Sequence, residues 1–180
     1  MPAAHASATL GAVSELRRLY ELHFDEVRRL HVRLLGDGHA ADDAVQETFI
    51  RIHHALPSCD LERPLRPWIL AIARNVAIDI LRARAKAAKM PQEEPAAPST
   101  VVEAASASEE RRAVEDALAA LAPEHRSILL LRHVHELKLE EIAEGSACTV
   151  RTVRNRLRAA GALLGRELKR RGIVSGEVSQ

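Results

Sequence analysis

A chain of 180 residues with a formal net charge of +1 can hold one mid-sized domain or two small ones. Apolar residues make up 47% of the chain but aromatic residues only 2%, so a core must consist mainly of Leu, Ile, Val and Ala, which favours helices packed on helices. The sequence has neither an apolar run of about 18 residues nor a secretory signal, so we expect a cytoplasmic protein without membrane insertion.

Two helices are predicted in the first third of the chain. Leucines at helical spacing predict a first helix over 13–35, and the Gly-Asp-Gly sequence at 36–38 ends it. A second helix is predicted to begin at Asp42 or Asp43 and to close at Pro57, because a proline cannot continue a helix.

A loop and a third helix follow. Residues 57–67 contain three prolines and are predicted to form a loop. From Trp68 to about Ala87 apolar residues again recur at helical spacing, which predicts a third long helix. The C-terminal end of this helix is basic and carries Arg82, Arg84, Lys86 and Lys89.

Residues 91–110 differ in composition from both flanks. They contain three prolines and five glutamates, no Lys or Arg, and no apolar period, which predicts a flexible linker. No segment of the chain shows the two-residue alternation of a half-buried strand. The sequence therefore predicts an all-α protein of two small helical domains, 13–90 and 111–171, joined by this acidic linker.

The segment LEEIAEGSACTVRTVRNRL (139–157) has the spacing of a helix-turn-helix. Ile142 supplies the buried face of its first helix, Gly145 or Ser146 breaks that helix, and Thr149 can cap the second one. A second helix presented in this way fits the major groove of B-DNA. An ordinary helical hairpin with a solvated basic rim is the alternative.

Positive charge is concentrated in this second helix. Residues 149–171 contain eight Arg or Lys residues against a single Glu. Val150, Val153 and Leu157 would share one helix face. Arg can make two hydrogen bonds to guanine and Asn can do the same to adenine, so the opposite face is suited to reading base edges. That opposite face would carry Arg151, Arg154, Asn155 and Arg158.

Three motifs, in order along the chain, resemble the bacterial sigma factors. LAPEHRSILLLRHVHELKLEEIAEGSACTVRTVRNRL (121–157) resembles region 4, which reads the −35 promoter element. DDAVQETFIRIHHAL (42–56) resembles region 2.2, and RPWILAIARNVAIDILRARAK (66–86) resembles regions 2.3 and 2.4, which melt and read the −10 element. The linker lies where the extracytoplasmic-function (ECF) group of this family carries a tether, so the chain resembles that group over roughly residues 13–90 and 110–170.

The resemblance implies three sets of site residues. Positions facing the clamp coiled coil of core RNA polymerase are Asp43, Gln46, Glu47 and Arg51. Positions at the −10 element are Cys59 and Asp60, in a loop that holds an unstacked base, and Arg74, Asn75 and Arg82. Positions at the −35 element are Thr149, Arg151, Thr152, Arg154, Asn155 and Arg158. Residues expected in the core instead are Val45, Phe49 and Trp68.

The function that the resemblance implies is transcription initiation without catalysis. Its partners would be core RNA polymerase, promoter DNA and an anti-sigma factor, and the free chain would be a monomer. No cofactor or metal is expected, since His53, His54, His133 and His135 are interpreted as surface residues and the two cysteines, 59 and 148, as inert thiols. The alternatives are a stand-alone helix-turn-helix regulator that senses a ligand through residues 1–90, and an adaptor that sequesters a sigma factor.

Overall fold

The computed structural model describes the backbone of residues 3–88 and 109–173, and side chains from residues 14 and 111 onward in these two ranges. Its contacts divide the chain into two compact units, 1–97 and 98–180. All regular structure in the described residues is helical, so the predicted all-α fold is confirmed. None of the described helices is long and apolar enough to cross a membrane. The predicted linker, apart from its last two residues, and Lys89 lie outside the described residues.

The first unit is a three-helix bundle. Its helices are α1 (Ala3–Leu35), α2 (Gly38–Ala55) and α3 (Leu65–Ala87), and each packs against the other two. α1 begins ten residues before the predicted start at 13. It ends at Gly36, whose φ of +71° is a left-handed conformation that glycine adopts without strain. The buried core of the unit includes Leu30, Leu34, Val45, Phe49, Ile52, Ile69 and Val76.

The predicted start of α2 was wrong by one helical turn. The helix begins at Gly38 because the carboxylate of Asp37 accepts a hydrogen bond from the backbone N–H of His39 and caps the helix end. Asp42 lies inside the helix and pairs with Arg28 of α1, at 2.7 Å between Nε and Oδ1. Gly38 is therefore the first residue of α2, directly after its N-cap, and is not part of the break after α1.

The proline-rich loop is shorter than predicted. Leu56–Ser58 forms a 3₁₀ turn, and α3 begins at Leu65, so only residues 59–64 are irregular. Pro67 falls in the first turn of α3, where a backbone N–H has no acceptor within the helix. The N–H that proline lacks therefore costs no helical hydrogen bond. Trp68 is only half-buried in this helix, so its expected place in the core was partly wrong, whereas Val45 and Phe49 are buried as predicted.

The described part of the second unit, residues 109–173, contains four short or medium helices and one π-helical turn. The helices are α4 (Glu109–Ala119), α5 (Pro123–Leu129), α6 (Leu139–Gly145) and α7 (Val150–Arg170). α5 continues into the π-helical turn Leu130–Val134, in which the N–H of His135 donates to the carbonyl of Leu130 at 3.0 Å. α7 packs against α4, α5 and α6 and is thus the central helix of the unit.

The histidines are not all at the surface. His53 and His54 are exposed on the last turn of α2, and His133 is exposed as well. His135, however, is buried at the C-terminal end of the π-helical turn. The prediction that His135 is a surface residue was therefore wrong. No group of three or more His, Cys, Asp or Glu residues within the described ranges is arranged to hold a metal ion.

Candidate nucleic-acid and polymerase interface

The helix-turn-helix is built by α6, a short turn and α7. α6 buries Ile142 and Ala143 and ends at Gly145, as the sequence predicts. The turn includes Ala147 with a φ of +48°, a left-handed conformation that lets the chain reverse toward α7. Thr149 then caps α7, since its hydroxyl oxygen accepts a hydrogen bond from the backbone N–H of Thr152 at 3.1 Å.

The two threonines predicted to contact DNA are engaged with each other. The hydroxyl groups of Thr149 and Thr152 lie 2.9 Å apart, in addition to the capping hydrogen bond. Both contacts lie at the N-terminal end of α7. The structure therefore gives both residues a capping role, while a DNA contact by either stays a prediction.

The two faces of α7 are as predicted. Val153 and Ala160 are fully buried, and Val150 and Leu157 are half-buried beside them. The opposite face carries the predicted set of polar residues, all of them exposed. Because the backing helices cover only the apolar side, this basic face is open to a DNA groove. The exposed residues are Arg151, Arg154, Asn155 and Arg158.

The C-terminal end of α7 has a different electrostatic character. Glu167 accepts hydrogen bonds from Arg170 and from Arg171, which lower the pKa of its carboxyl group to about 2. Arg171 also lies 3.5 Å from a carboxylate oxygen of Asp116 on α4. The charges of Arg170 and Arg171 are thus largely offset by Glu167 and Asp116. Arg166 and Lys169 are further exposed cations near this end of the helix.

Two of the residues predicted at the −10 element lie together on α3. The guanidinium of Arg74 donates to the side-chain oxygen of Asn75 at 3.1 Å. Arg82 is exposed on the same helix face as Asn75, two turns and roughly 10 Å further along. Asp79 lies between them on this face and is also exposed, so the surface is not uniformly basic.

The loop 59–64, which we call the −10 loop, presents one large exposed aliphatic side chain, that of Leu61. Asp60 shapes the loop, because its carboxylate accepts a hydrogen bond from the backbone N–H of Glu62 at 3.1 Å. Burial, and then the neighbouring Asp60 carboxylate, raise the pKa of the Cys59 thiol, which favours its protonated form. Leu61 is 53% exposed and was missed by the sequence reasoning, which named only the two residues before it.

The surface of α2 predicted to meet the polymerase contains an ion-pair network. Asp43 and Gln46 are exposed. The guanidinium of Arg51 donates to Glu47 at 2.7 Å and to Asp79 of α3 at 2.9 Å, and these hydrogen bonds raise its pKa. Arg51 is therefore bound within the unit, and it connects the α2 surface to the α3 surface.

Sequence reasoning also missed an apolar residue on the α2 surface. Ile50 is 52% exposed and lies one turn after Gln46 and Glu47. Ile50 falls outside the periodic apolar face formed by Val45, Phe49 and Ile52, so its exposure agrees with helical spacing, although it was not named among the expected site residues. We call the surface formed by Asp43, Gln46, Glu47 and Ile50 the polymerase face.

Comparison with known protein families places both units in one class. Residues 19–87 match the family "Sigma-70 region 2", and residues 111–162 match the family "Sigma-70, region 4". The chain is 32% identical over 172 residues to the ECF RNA polymerase sigma factor SigL of Mycobacterium tuberculosis, covering 94% of this chain and 97% of the relative. It is thus a sigma factor of the sigma-70 class. Within that class it belongs to the ECF RNA polymerase sigma factors.

Solved structures show the same fold. The sigma factor RpoE from Bartonella quintana, in complex with the anti-sigma factor NepR, superposes with a TM-score of 0.66 at 19% identity, over 86% of this chain and 97% of that one. CnrH in complex with the cytosolic domain of CnrY gives a TM-score of 0.64 at 24% identity, over 92% of this chain and 94% of that one.

Proposed function

We propose that this chain directs core RNA polymerase to promoters by dividing three contacts between its two units. The polymerase face of α2 binds core polymerase, the −10 loop and α3 capture single-stranded bases of the −10 element, and α7 reads the −35 duplex. The observation that carries the proposal is the exposed polar face of α7, with Arg154 and Asn155 one turn after the Thr149 cap. This is where a groove-bound helix reaches base edges.

The proposed role is one of binding, without chemistry of its own. Capture of unstacked bases offsets the cost of opening a few base steps, which is a few kcal/mol per step. Leu61 and the Arg74–Asn75 pair support such capture, because an apolar surface and a polar pair suit the face and the edge of a base. An anti-sigma factor is a further proposed partner, in line with the complex of RpoE with NepR.

Reconstituted transcription tests the proposal. The full chain is mixed with core polymerase lacking other sigma factors, and initiation is measured on a library of promoters with randomised −35 and −10 elements. We expect initiation only with the chain present, and enrichment at both elements. Selective duplex binding by the chain alone, with no effect on core polymerase, would instead support the stand-alone regulator.

A further inference from the structure

The −10 loop is held at its two ends by different means. On its N-terminal side, Leu56 is buried and its carbonyl accepts a hydrogen bond from the backbone N–H of Cys59 at 3.0 Å. The hydroxyl of Ser58 donates to the carbonyl of Ala55 at 2.9 Å. This side of the loop is thus fixed to the end of α2 by packing and local hydrogen bonds.

On its C-terminal side, the loop is followed by an ion pair to a distant helix. Arg66, in the first turn of α3, donates from Nε to Oε2 of Glu26 at 3.0 Å and from Nη2 to Oε1 at 2.5 Å. Glu26 lies on α1, 40 residues earlier in the chain. Two parallel hydrogen bonds between a planar guanidinium and a carboxylate fix orientation as well as distance.

The Glu26–Arg66 pair differs from the surface ion pairs of the same helix. The side chain of Glu26 is only 16% exposed, whereas in the neighbouring pair of Arg17 and Glu21 the two side chains are 81% and 64% exposed. The exposed pair joins residues one turn apart and constrains only α1. The Glu26–Arg66 pair instead ties the start of α3, and with it the end of the −10 loop, to α1.

We infer that Glu26 and Arg66 are positioning residues for base capture: their ion pair sets the orientation in which the −10 loop presents Asp60 and Leu61. The inference rests on the proposed function, in which this loop meets an unstacked base. Arg66 binds both carboxylate oxygens of Glu26 and lies in the first turn of α3, two residues after the −10 loop. We therefore expect the pair to act on the loop through the backbone of α3. Its loss should therefore alter which base is preferred and not only how tightly DNA is held.

The test compares Glu26→Gln and Arg66→Lys with the control Glu21→Gln, all in the full chain bound to core polymerase. Open-complex formation is measured on promoters that differ at single −10 positions. Glu26→Gln should change the ratio between the best and the second-best base about three- to tenfold, with core affinity unchanged. Arg66→Lys, which keeps the charge but not the two parallel hydrogen bonds, should give a smaller change, and Glu21→Gln none.

Three outcomes would overturn the inference. A loss of open-complex formation that is equal for all bases would show that the pair contributes only to stability. Circular dichroism and thermal unfolding identify variants that do not fold. If Glu26→Gln does not fold, the result for Arg66→Lys decides. The loop variants Asp60→Ala and Leu61→Ala separate the inference from the proposed function. If they alter base preference while the folded pair variants do not, the inference alone is wrong. If the loop variants also leave base preference unchanged, the proposed role of the loop in base capture is wrong, and the inference that rests on it is wrong as well.

Discussion

The guanidinium of Arg51 on α2 lies 2.9 Å from the carboxylate of Asp79 on α3, and this hydrogen bond joins the polymerase face to the surface proposed to hold the −10 strand. Asp79 stands between Asn75 and Arg82 on that surface. A carboxylate there repels DNA phosphates unless a cation offsets it. Arg51 supplies that cation from α2, where it is also hydrogen-bonded to Glu47 of the polymerase face.

Removal of Arg51 should therefore weaken promoter binding through Asp79. We expect Arg51→Ala to lower the affinity of the polymerase-bound factor for promoter DNA several-fold, and Asp79→Asn to restore most of that loss. Both side chains are about half-exposed, so the stability change should stay below about 1 kcal/mol. A double-mutant cycle on DNA affinity checks this expectation. Additive effects of the two substitutions would show that Arg51 acts independently of Asp79.

Ile50 should contribute to polymerase binding out of proportion to its effect on folding. Replacement by Ser removes the exposed apolar side chain from the polymerase face and should weaken core binding about tenfold. The matched control is Leu61→Ser, since Leu61 is exposed to a similar degree, 53% against 52%, but lies in the −10 loop. Core affinity is measured by fluorescence anisotropy of labelled protein. Equal losses in both variants would remove Ile50 from the proposed interface.

His31 makes the first unit sensitive to acid. It is fully buried, and its Nε2 lies 2.9 Å from the hydroxyl of Thr48. The Thr48 hydroxyl donates to the carbonyl of Ala44, so it accepts from Nε2–H, and Nδ1 is buried without a hydrogen-bond partner. Burial lowers the pKa of His31 from 6.5 to about 4, because the charged ring would lose its hydration.

A lowered histidine pKa means that the unfolded chain takes up the proton first. Stability should be constant above the unfolded pKa of 6.5 and should fall as the pH drops toward about 4, by up to roughly 3 kcal/mol. The single tryptophan, Trp68, lies in the first unit, so its fluorescence reports unfolding there. The measurement compares wild type with His31→Gln between pH 7 and pH 4. The same pH dependence in both proteins would rule out His31 as the cause.

Periodicity predicted most of the fold and the faces of α7, because those depend on residues three or four apart. Val153 is buried and Arg154 exposed for that reason. The start of α2 was misjudged because Gly38 looked like a breaker, whereas the Asp37 cap decides the boundary. Local spacing carries no information about contacts between distant segments. The pairing of Glu26 with Arg66 arises from such a contact, so only the structure could show it, whereas the exposed position of Ile50 follows from helical spacing.

The basic residues of α7 should divide into two functional groups. Arg154 faces outward one turn into the helix and should contact a base edge, where loss of a bidentate contact costs about 1–3 kcal/mol and relaxes specificity at one position. Lys169 is exposed at the far end and should meet only phosphate or solvent. Lys169→Ala should weaken all sequences equally and lower the salt slope by about one unit.

The central claim is that α7 reads the −35 sequence. The most direct measurement is promoter selection by core polymerase bound to the full chain, with wild type, Arg154→Ala and Lys169→Ala compared on a library randomised in the −35 element, at two salt concentrations. We predict that Arg154→Ala changes the preferred base at one −35 position, while Lys169→Ala keeps the preferred sequence and reduces only the yield. Unchanged sequence preference in both variants would contradict the claim, because α7 would then be an electrostatic anchor that reads no bases.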